Sequence, residues 1–264
     1  EFAGVLDRHD VPFNILPAMD EMDELDVELD IDEPHMADLA VDAEEYGPYA
    51  DRVVPDVRST AGAYTHIVDL SVSGHMDRRI TLEIASSVNP RATVIASALT
   101  STATELGMLA NVGTRICGVT LLPSMMSAVQ TIDMSAGLNT TEHHVEQAQA
   151  LLGRLGYTVE QVEDRVGLVQ VRVLVMLINE AAFAVMEGLA TPEDIDKAMM
   201  LGVNYPKGLL AWADEIGISI VTLILDGLRR EYEQERYRPC VLLKQMLRAG
   251  WTGKSAGKGF FTYA

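Results

Sequence analysis

Strand-like and helix-like runs alternate along this chain as far as Asp164, and from Val166 onward the strand-like runs stop. This change of hydrophobic period constrains the fold more than any other feature. Thr65–Val72 (THIVDLSV) reads as a buried strand. Met76–Val88 has helical spacing, with Ile80, Ile84 and Val88 on one stripe. Ala92–Leu99 is a second strand, TSTATELGMLANV a helix, and Arg115–Leu122 a third strand. Thr140–Gly156 is a helix with Thr at its start and Gly at its end, and Tyr157–Asp164 closes as a short strand. EFAGVLDRHD and VPFNILPA fit a helix and a strand of the same series. Strands joined through helices lie parallel in one sheet. The remainder reads as helices: Gly167–Gly188, then TPEDIDKAMMLGV, then GLLAWADEIGISIVTLILDGLRREYEQE, then PCVLLKQMLRAG. The pattern predicts a mostly parallel α/β domain over 1–162 and an all-α domain over 163–264.

The run GLVQVRVLVMLINEAAFAVMEG, Gly167–Gly188, is apolar almost all the way round. Roughly 20 such residues could cross a bilayer. Gln170, Arg172, Asn179 and Glu180 inside it, and no second run of its kind, argue against a membrane span. A helix apolar on every face is buried in protein. A helical domain this small needs the first domain or a second subunit to cover it, so a homodimer through the C-terminal helices is expected.

The formal net charge is -19, which excludes the clustered basic surface that nucleic acid requires and disfavours an anionic membrane surface. Residues 1–60 hold 18 acidic side chains against 3 Arg, and Met19–Pro34 alternates acid with apolar residues. That stretch reads as a strand or an extended acidic loop, and as a solvated face before a docking surface for a basic partner. Cys117 and Cys240 sit in apolar surroundings, without CxxC or His/Cys spacing, so no metal site is expected and both read as buried thiols of a reducing, cytoplasmic compartment. No signal peptide is seen. The chain starts at Glu1 without a methionine, so an upstream segment is expected.

Three strings are specific together: NEAAFAVMEGLATPEDIDKAMMLGVNYPKG (Asn179–Gly208), WADEIG (Trp212–Gly217) and RAGWTGKSAGKGFFTY (Arg248–Tyr263). They resemble the C-terminal domain of the NAD-dependent 3-hydroxyacyl-CoA dehydrogenases, including 3-hydroxybutyryl-CoA dehydrogenases. The resemblance is strong over residues 160–264 and weaker over 60–160. It implies a Rossmann-like first domain, NAD as cofactor, an acyl-CoA ligand and a dimer. Its family reaction is oxidation of a 3-hydroxyacyl-CoA to the 3-keto form in fatty-acid metabolism. In that reaction a histidine takes the hydroxyl proton, a glutamate orients and charges it, and a serine and an asparagine bond near the reacting oxygen.

Carried over position by position, the resemblance marks a divergent member. The family's S-N-T-S string falls on Ser97–Thr100, which puts Thr100 where the serine stands. Its G-M-H-F-F string falls on Gly118–Leu122, so Thr120 replaces the histidine. The glutamate falls at Gln130, within a residue because of a deletion after Leu122. D-x-P-G-F-x-x-N-R falls on Asp164–Arg172, so Val171 replaces the asparagine. For the cofactor, the family's E-x-x-x-x-K pair falls on Ser73 and Arg78, and the ribose-binding acid falls near Pro17, with Asp20 and Glu21 beside it. No G-x-G-x-x-G is present; if the first helix is EFAGVLDRHD, the glycine loop lies before Glu1. Threonine cannot accept a proton near pH 7 as imidazole can. Two readings stay open: a 3-hydroxyacyl-CoA dehydrogenase with replacement residues, or a catalytically silent relative that binds an acyl-CoA or nucleotide or serves as a dimeric scaffold. The expectation from these substitutions is no measurable oxidation of 3-hydroxyacyl-CoA with NAD.

Overall fold

A computed structural model describes residues 1–16, 46–54, 61–72, 75–126 and 129–263. Five strands, β1 (His66–Asp69), β2 (Thr93–Ser97), β3 (Ile116–Val119), β4 (Thr131–Ala136) and β5 (Thr158–Val162), form one sheet in that order. β1, β2 and β3 are mutually parallel, β4 runs antiparallel to β3, and β5 is parallel to β4. The sheet is therefore mostly parallel and Rossmann-like, as the alternating runs predict. β2 (TVIAS) is buried at every position, which explains its unbroken small and apolar composition. One face packs on α1 (Phe2–Arg8) and α4 (Glu142–Arg154) through Val5, Leu6, Val145 and Leu152. The other packs on α2 (His75–Val88) and α3 (Ala103–Leu109) through Leu82, Ala103 and Leu106.

β4 is the element the sequence reading missed. Ile132, Met134 and Ala136 alternate with Thr131, Asp133 and Ser135, which is a strand period. Asp133 and Ser135 nevertheless lie buried, at 4% and 0% exposure, because both carry structural hydrogen bonds. Polar residues inside a buried strand made the run look like loop. Of the segment VPFNILPA, the described residues as far as Leu16 contribute a parallel bridge, Ile15 to Val53, rather than a strand. The acidic stretch Met19–Pro34 lies outside the described residues.

After β5 the described elements are helical: α5 (Gln170–Met186), α6 (Pro192–Gly202), α7 (Leu209–Ile216), α8 (Ile218–Tyr232) and α9 (Val241–Arg248). The expected long helix from Gly208 breaks into α7 and α8 at Gly217, whose φ of 100° is left-handed and closed to most side chains. Thr191 caps α6 by accepting from the Asp194 N–H at 3.2 Å, with Pro192 in the first turn. The helices share a core of Val175, Ile178, Leu210, Val221, Leu225 and Tyr237, which Leu99 and Leu122 of the first half join. The two halves thus share apolar surface.

Two buried carboxylates clip this helical half together. Asp196 of α6 accepts from the Leu210 and Ala211 N–H groups, at 2.8 and 2.9 Å, at the start of α7. Asp214 of α7 accepts from the Phe260 and Phe261 N–H groups, at 2.8 and 2.9 Å, and from the Tyr263 hydroxyl at 3.0 Å, fastening the C-terminal hook. A Cβ at Gly208 would overlap the Asp196 carboxylate, and one at Gly259 would overlap that of Asp214. Glycine at 208, after Pro206–Lys207, and at 259, before Phe260, is therefore a backbone requirement. Gly259→Ala is expected to cost about 1–3 kcal/mol by overpacking. Thermal denaturation checks this; an unchanged melting temperature would mean that the hook yields freely.

At the opposite end from the helices of the second half, three imidazoles gather around the start of α4. His66 Nε2 lies 3.1 Å from the Gln147 carbonyl, His144 Nδ1 lies 2.7 Å from Thr93 Oγ1, and the His143 and His144 rings are 5.1 Å apart. Burial lowers the pKa of His66 below 6.5, against a smaller upward pull from the Gln147 carbonyl. Burial also lowers that of His144, helped by His143, Arg115 and His66. The unfolded chain therefore takes up these protons first. The stability they allow is full above pH 6.5 and is lost as pH falls through the lowered folded values. The melting temperature is expected to drop between pH 7 and pH 5, and less steeply in a His66→Asn/His144→Asn double variant. Equal slopes would remove the cluster as the cause.

Candidate functional site

The turn from β3 into β4 lies at the carboxyl end of the parallel strands, the end where ligands bind in open α/β sheets. Thr120 follows β3 directly, and a 3-10 turn over Pro123–Met125 carries the chain on. α5 starts against this turn because β4 holds its amino end. Asp133 Oδ2 accepts from the Val169 and Gln170 N–H groups, at 3.0 and 2.7 Å. The Gln170 amide donates to the Thr131 carbonyl at 3.1 Å. A carboxylate at a helix amino terminus satisfies orphan donors and the helix dipole together. Before α5, Gly167 and Leu168 take positive φ, 72° and 44°, and the Gly167 N–H donates to the Ala98 carbonyl at 2.7 Å. This tight passage lays the second half across the end of β2.

Between the turn after β3 and α5 lies a small cleft, part of it open to solvent. Its walls are Leu121, Leu122, Met125, Met126, Val129 and Leu174, with Thr120, Gln170 and Val171. Thr120 lines the cleft, and its Oγ1 is buried without a hydrogen-bond partner. A lone unsatisfied hydroxyl in an apolar wall suits a ligand with one carbonyl or hydroxyl oxygen on an otherwise apolar body. None of these lining side chains titrates near neutral pH.

Of the positions singled out from sequence, the structure brings Thr120 and Val171 together in this cleft. Thr100 is buried, outside the cleft lining, on a clamped backbone. Its carbonyl accepts from Arg230 Nη2 at 2.8 Å, and a Cβ at Gly227 of α8 would stand 2.9 Å from that oxygen. Gln130 is exposed, and its carbonyl accepts from the Thr158 N–H at 2.8 Å. Asp20 and Ser73 lie outside the described residues. Arg78 is 2% exposed, paired through Nε to Asp69 at 2.8 Å and through Nη1 to the Ser97 carbonyl at 2.8 Å. Sequence reasoning missed Gln170, Leu174 and the methionines as cleft wall, and Asp133 as the group that sets α5. Alternation in Thr131–Ala136 was the available signal for Asp133.

Arg78 Nη2, on α2, and Ser97 Oγ, at the last residue of β2, are also buried without partners. They suit hydrogen-bonding atoms of a bound molecule. A dinucleotide needs, in addition, a glycine-rich turn that presents N–H groups to its phosphates. No such turn is found among the described residues, which therefore do not fit the whole of NAD, and no chemical step here is routed through it. Among the described residues no cluster of His, Cys, Asp and Glu could hold a metal ion, and no helix is long and apolar enough to cross a membrane. Cys117 and Cys240 are buried, and burial, helped by Asp164, pushes the Cys117 thiol up to about 12, so it is inert.

The 3-hydroxyacyl-CoA dehydrogenase C-terminal domain model matches residues 167–263. A Bacillus subtilis protein named "Probable 3-hydroxybutyryl-CoA dehydrogenase" is 38% identical over 175 residues, 66% of this chain and 61% of that protein. The 3-hydroxybutyryl-CoA dehydrogenase of Bradyrhizobium diazoefficiens is 30% identical over 186 residues, 70% of this chain and 63% of that one. This chain thus spans under two thirds of the length of either relative. Among solved structures, Mycobacterium tuberculosis FadB2 superposes with a TM-score of 0.74 at 25% identity, over 82% of this chain and 78% of that one. The (S)-3-hydroxybutyryl-CoA dehydrogenase of Ralstonia eutropha gives 0.71 at 26%, over 81% and 75%. The sheet, the five-helix second half and these matches agree: the chain belongs to the 3-hydroxyacyl-CoA dehydrogenase family.

Proposed function

We propose that this chain binds a 3-hydroxyacyl- or 3-ketoacyl-CoA, with the acyl group in the Thr120–Val171 cleft, and does not oxidise it through the family's usual residues. The carrying observation is the cleft wall itself: apolar on most sides, one unsatisfied hydroxyl, and no proton acceptor. Thr120 Oγ–H donates to the ligand's 3-oxygen, while Leu121, Met125, Met126 and Leu174 take the acyl carbons. Alcohol oxidation needs a group to take the hydroxyl proton. Thr120 and Val171 supply none, and Thr100 and Gln130 do not line the cleft. NAD is the cofactor implied by family resemblance, with Arg78 and Ser97 as the side chains that would face it. Residues 1–162 act as the ligand-facing α/β domain and 163–264 as the helical domain.

A second reading keeps the relatives' named activity, with a base supplied from elsewhere. The unpartnered Arg78 Nη2 beside Ser97 favours it, because a bound group in place of the family's cofactor would satisfy both. Thermal shift tests the first reading, and turnover, taken up below, separates the two. Acetoacetyl-CoA at a hundredfold its dissociation constant is expected to add about 2.7 kcal/mol to stability. Stabilisation by NAD and none by the thioester would reject the first reading.

The chain also dimerises through its helical half in this proposal. Val169 and Val173 on α5 are 52% and 53% exposed, and Leu189 and Leu201 are 78% and 76% exposed. A two-fold contact covers such surface by using one patch twice. Light scattering at low and high salt is expected to give a dimer, and Val173→Glu to shift it toward monomer. A monomeric mass for the parent protein in both salts would refute the assignment.

A further inference from the structure

Two arginines meet at one phenol oxygen where the end of α8 approaches α5. Arg172 of α5 donates through Nη2 to the Tyr237 hydroxyl and through Nη1 to the Tyr232 hydroxyl at 3.2 Å. Arg236 Nη2 donates to the same Tyr237 hydroxyl at 2.8 Å. The Arg172 guanidinium lies 4.6 Å from the centre of the Tyr232 ring and 5.3 Å from that of Tyr237, and Arg236 lies 4.6 Å from the Tyr237 ring. Among the described residues neither arginine is ion-paired. The carboxylate beside them, Glu235, is taken by Arg229 at 3.0 Å and Arg238 at 3.6 Å. Two neighbouring cations without a counter-charge are unexpected in a chain with 39 acidic residues against 20 basic ones.

We infer that Arg172, Arg236 and the Tyr232 and Tyr237 hydroxyls form a site for a phosphoryl group. Stacking on the tyrosine faces fixes the guanidinium planes, so few rotamers are lost when an anion arrives. One carboxylate is satisfied by one arginine fork, whereas a phosphoryl group offers enough oxygens for two. Tyr237 is buried at 1% exposure and anchors the site, while Arg236 is exposed and Arg172 half-buried, so solvent reaches both cations. An arriving anion relieves the repulsion between two charges that now share an uncharged oxygen. Arg172 neighbours Val171 on α5 but leaves the helix on another face, and the phosphoryl group belongs either to free phosphate or to a phosphorylated carrier. The second source rests on the acyl-CoA reading above; the site itself does not.

Calorimetric titration of the full chain with inorganic phosphate, against chloride at equal ionic strength, tests the site. The expected result is saturable binding of phosphate, weakened on the order of tenfold or more by Arg236→Gln and by Arg172→Lys. Arg236 is exposed, so its variant keeps the fold. Absence of phosphate binding, or equal binding in parent and Arg236→Gln, overturns the inference. CoA that competes with phosphate and loses affinity in Arg236→Gln identifies the carrier as the source. Phosphate binding that CoA does not displace identifies the free anion. Thioester binding with no phosphate effect and no loss in Arg236→Gln sinks this site and leaves the cleft assignment standing.

Discussion

Purified protein given NAD and 3-hydroxybutyryl-CoA is expected to turn over about 10²–10⁴-fold more slowly than the Bradyrhizobium relative, or below detection, because a positioned general base contributes a factor of that size. The argument runs through the cleft. Thr120 stands where the family resemblance puts the base, and a hydroxyl cannot hold a proton from an alcohol at neutral pH. Gln130, where the resemblance puts the orienting acid to within a residue, is exposed and carries no charge. Val171, where the resemblance puts the asparagine, is buried in the cleft wall. Thr120→His is expected to raise whatever rate exists, with a profile that climbs through the imidazole range near pH 6.5. Oxidation by the parent protein at the relative's rate, unaffected by substitution of Thr120 or Thr100, would show that another group takes the proton.

The largest stability loss is expected at Asp164. It is 8% exposed and accepts four hydrogen bonds: from the Ala103 and Thr104 N–H groups at 2.9 and 2.8 Å, the Thr104 hydroxyl at 2.7 Å and the Ser135 hydroxyl at 3.0 Å. One side chain thus ties the start of α3, the middle of β4 and the entry to α5. Asp164→Ala strands these buried donors and is expected to cost about 3–5 kcal/mol, as for a broken buried charged network. For a chain of this size that corresponds to a fall of roughly 10 °C in melting temperature. Asp164→Asn retains an acceptor but turns an NH₂ toward donors, so it should lie between parent and Ala. A melting temperature within about 2 °C of parent for Asp164→Ala would mean that water replaces the carboxylate.

Much of this fold is legible in the chain because its strands and helices keep clean periods. β2 and β3 are continuous apolar runs, and α6 announces itself through Thr191 and Pro192. The apolar run from Gly208 continues through Gly217, and only the left-handed glycine there marks where α7 and α8 part. β4 went unassigned although its residues alternate; what the sequence does not show is that Asp133 and Ser135 are themselves buried, because the partners of their hydrogen bonds are distant in the chain. The candidate site was legible at Thr120 and Val171, which need only the order of motifs along the chain. Leu174, Met125 and Met126 were not, because a cleft wall and a core use the same residue types. Nor was the Arg172–Arg236 pair, since 64 positions separate its members and only the turn after α8 joins them.

Binding of acetoacetyl-CoA, titrated into parent protein and into a Leu174→Trp variant that fills the cleft, decides whether the cleft holds the acyl group. Saturable binding to the parent is expected without NAD, at least about tenfold weaker in Leu174→Trp, a loss of about 1.4 kcal/mol, and weaker in Thr120→Val through the lost hydroxyl. No binding to the parent, or the same affinity in all three proteins, would contradict it.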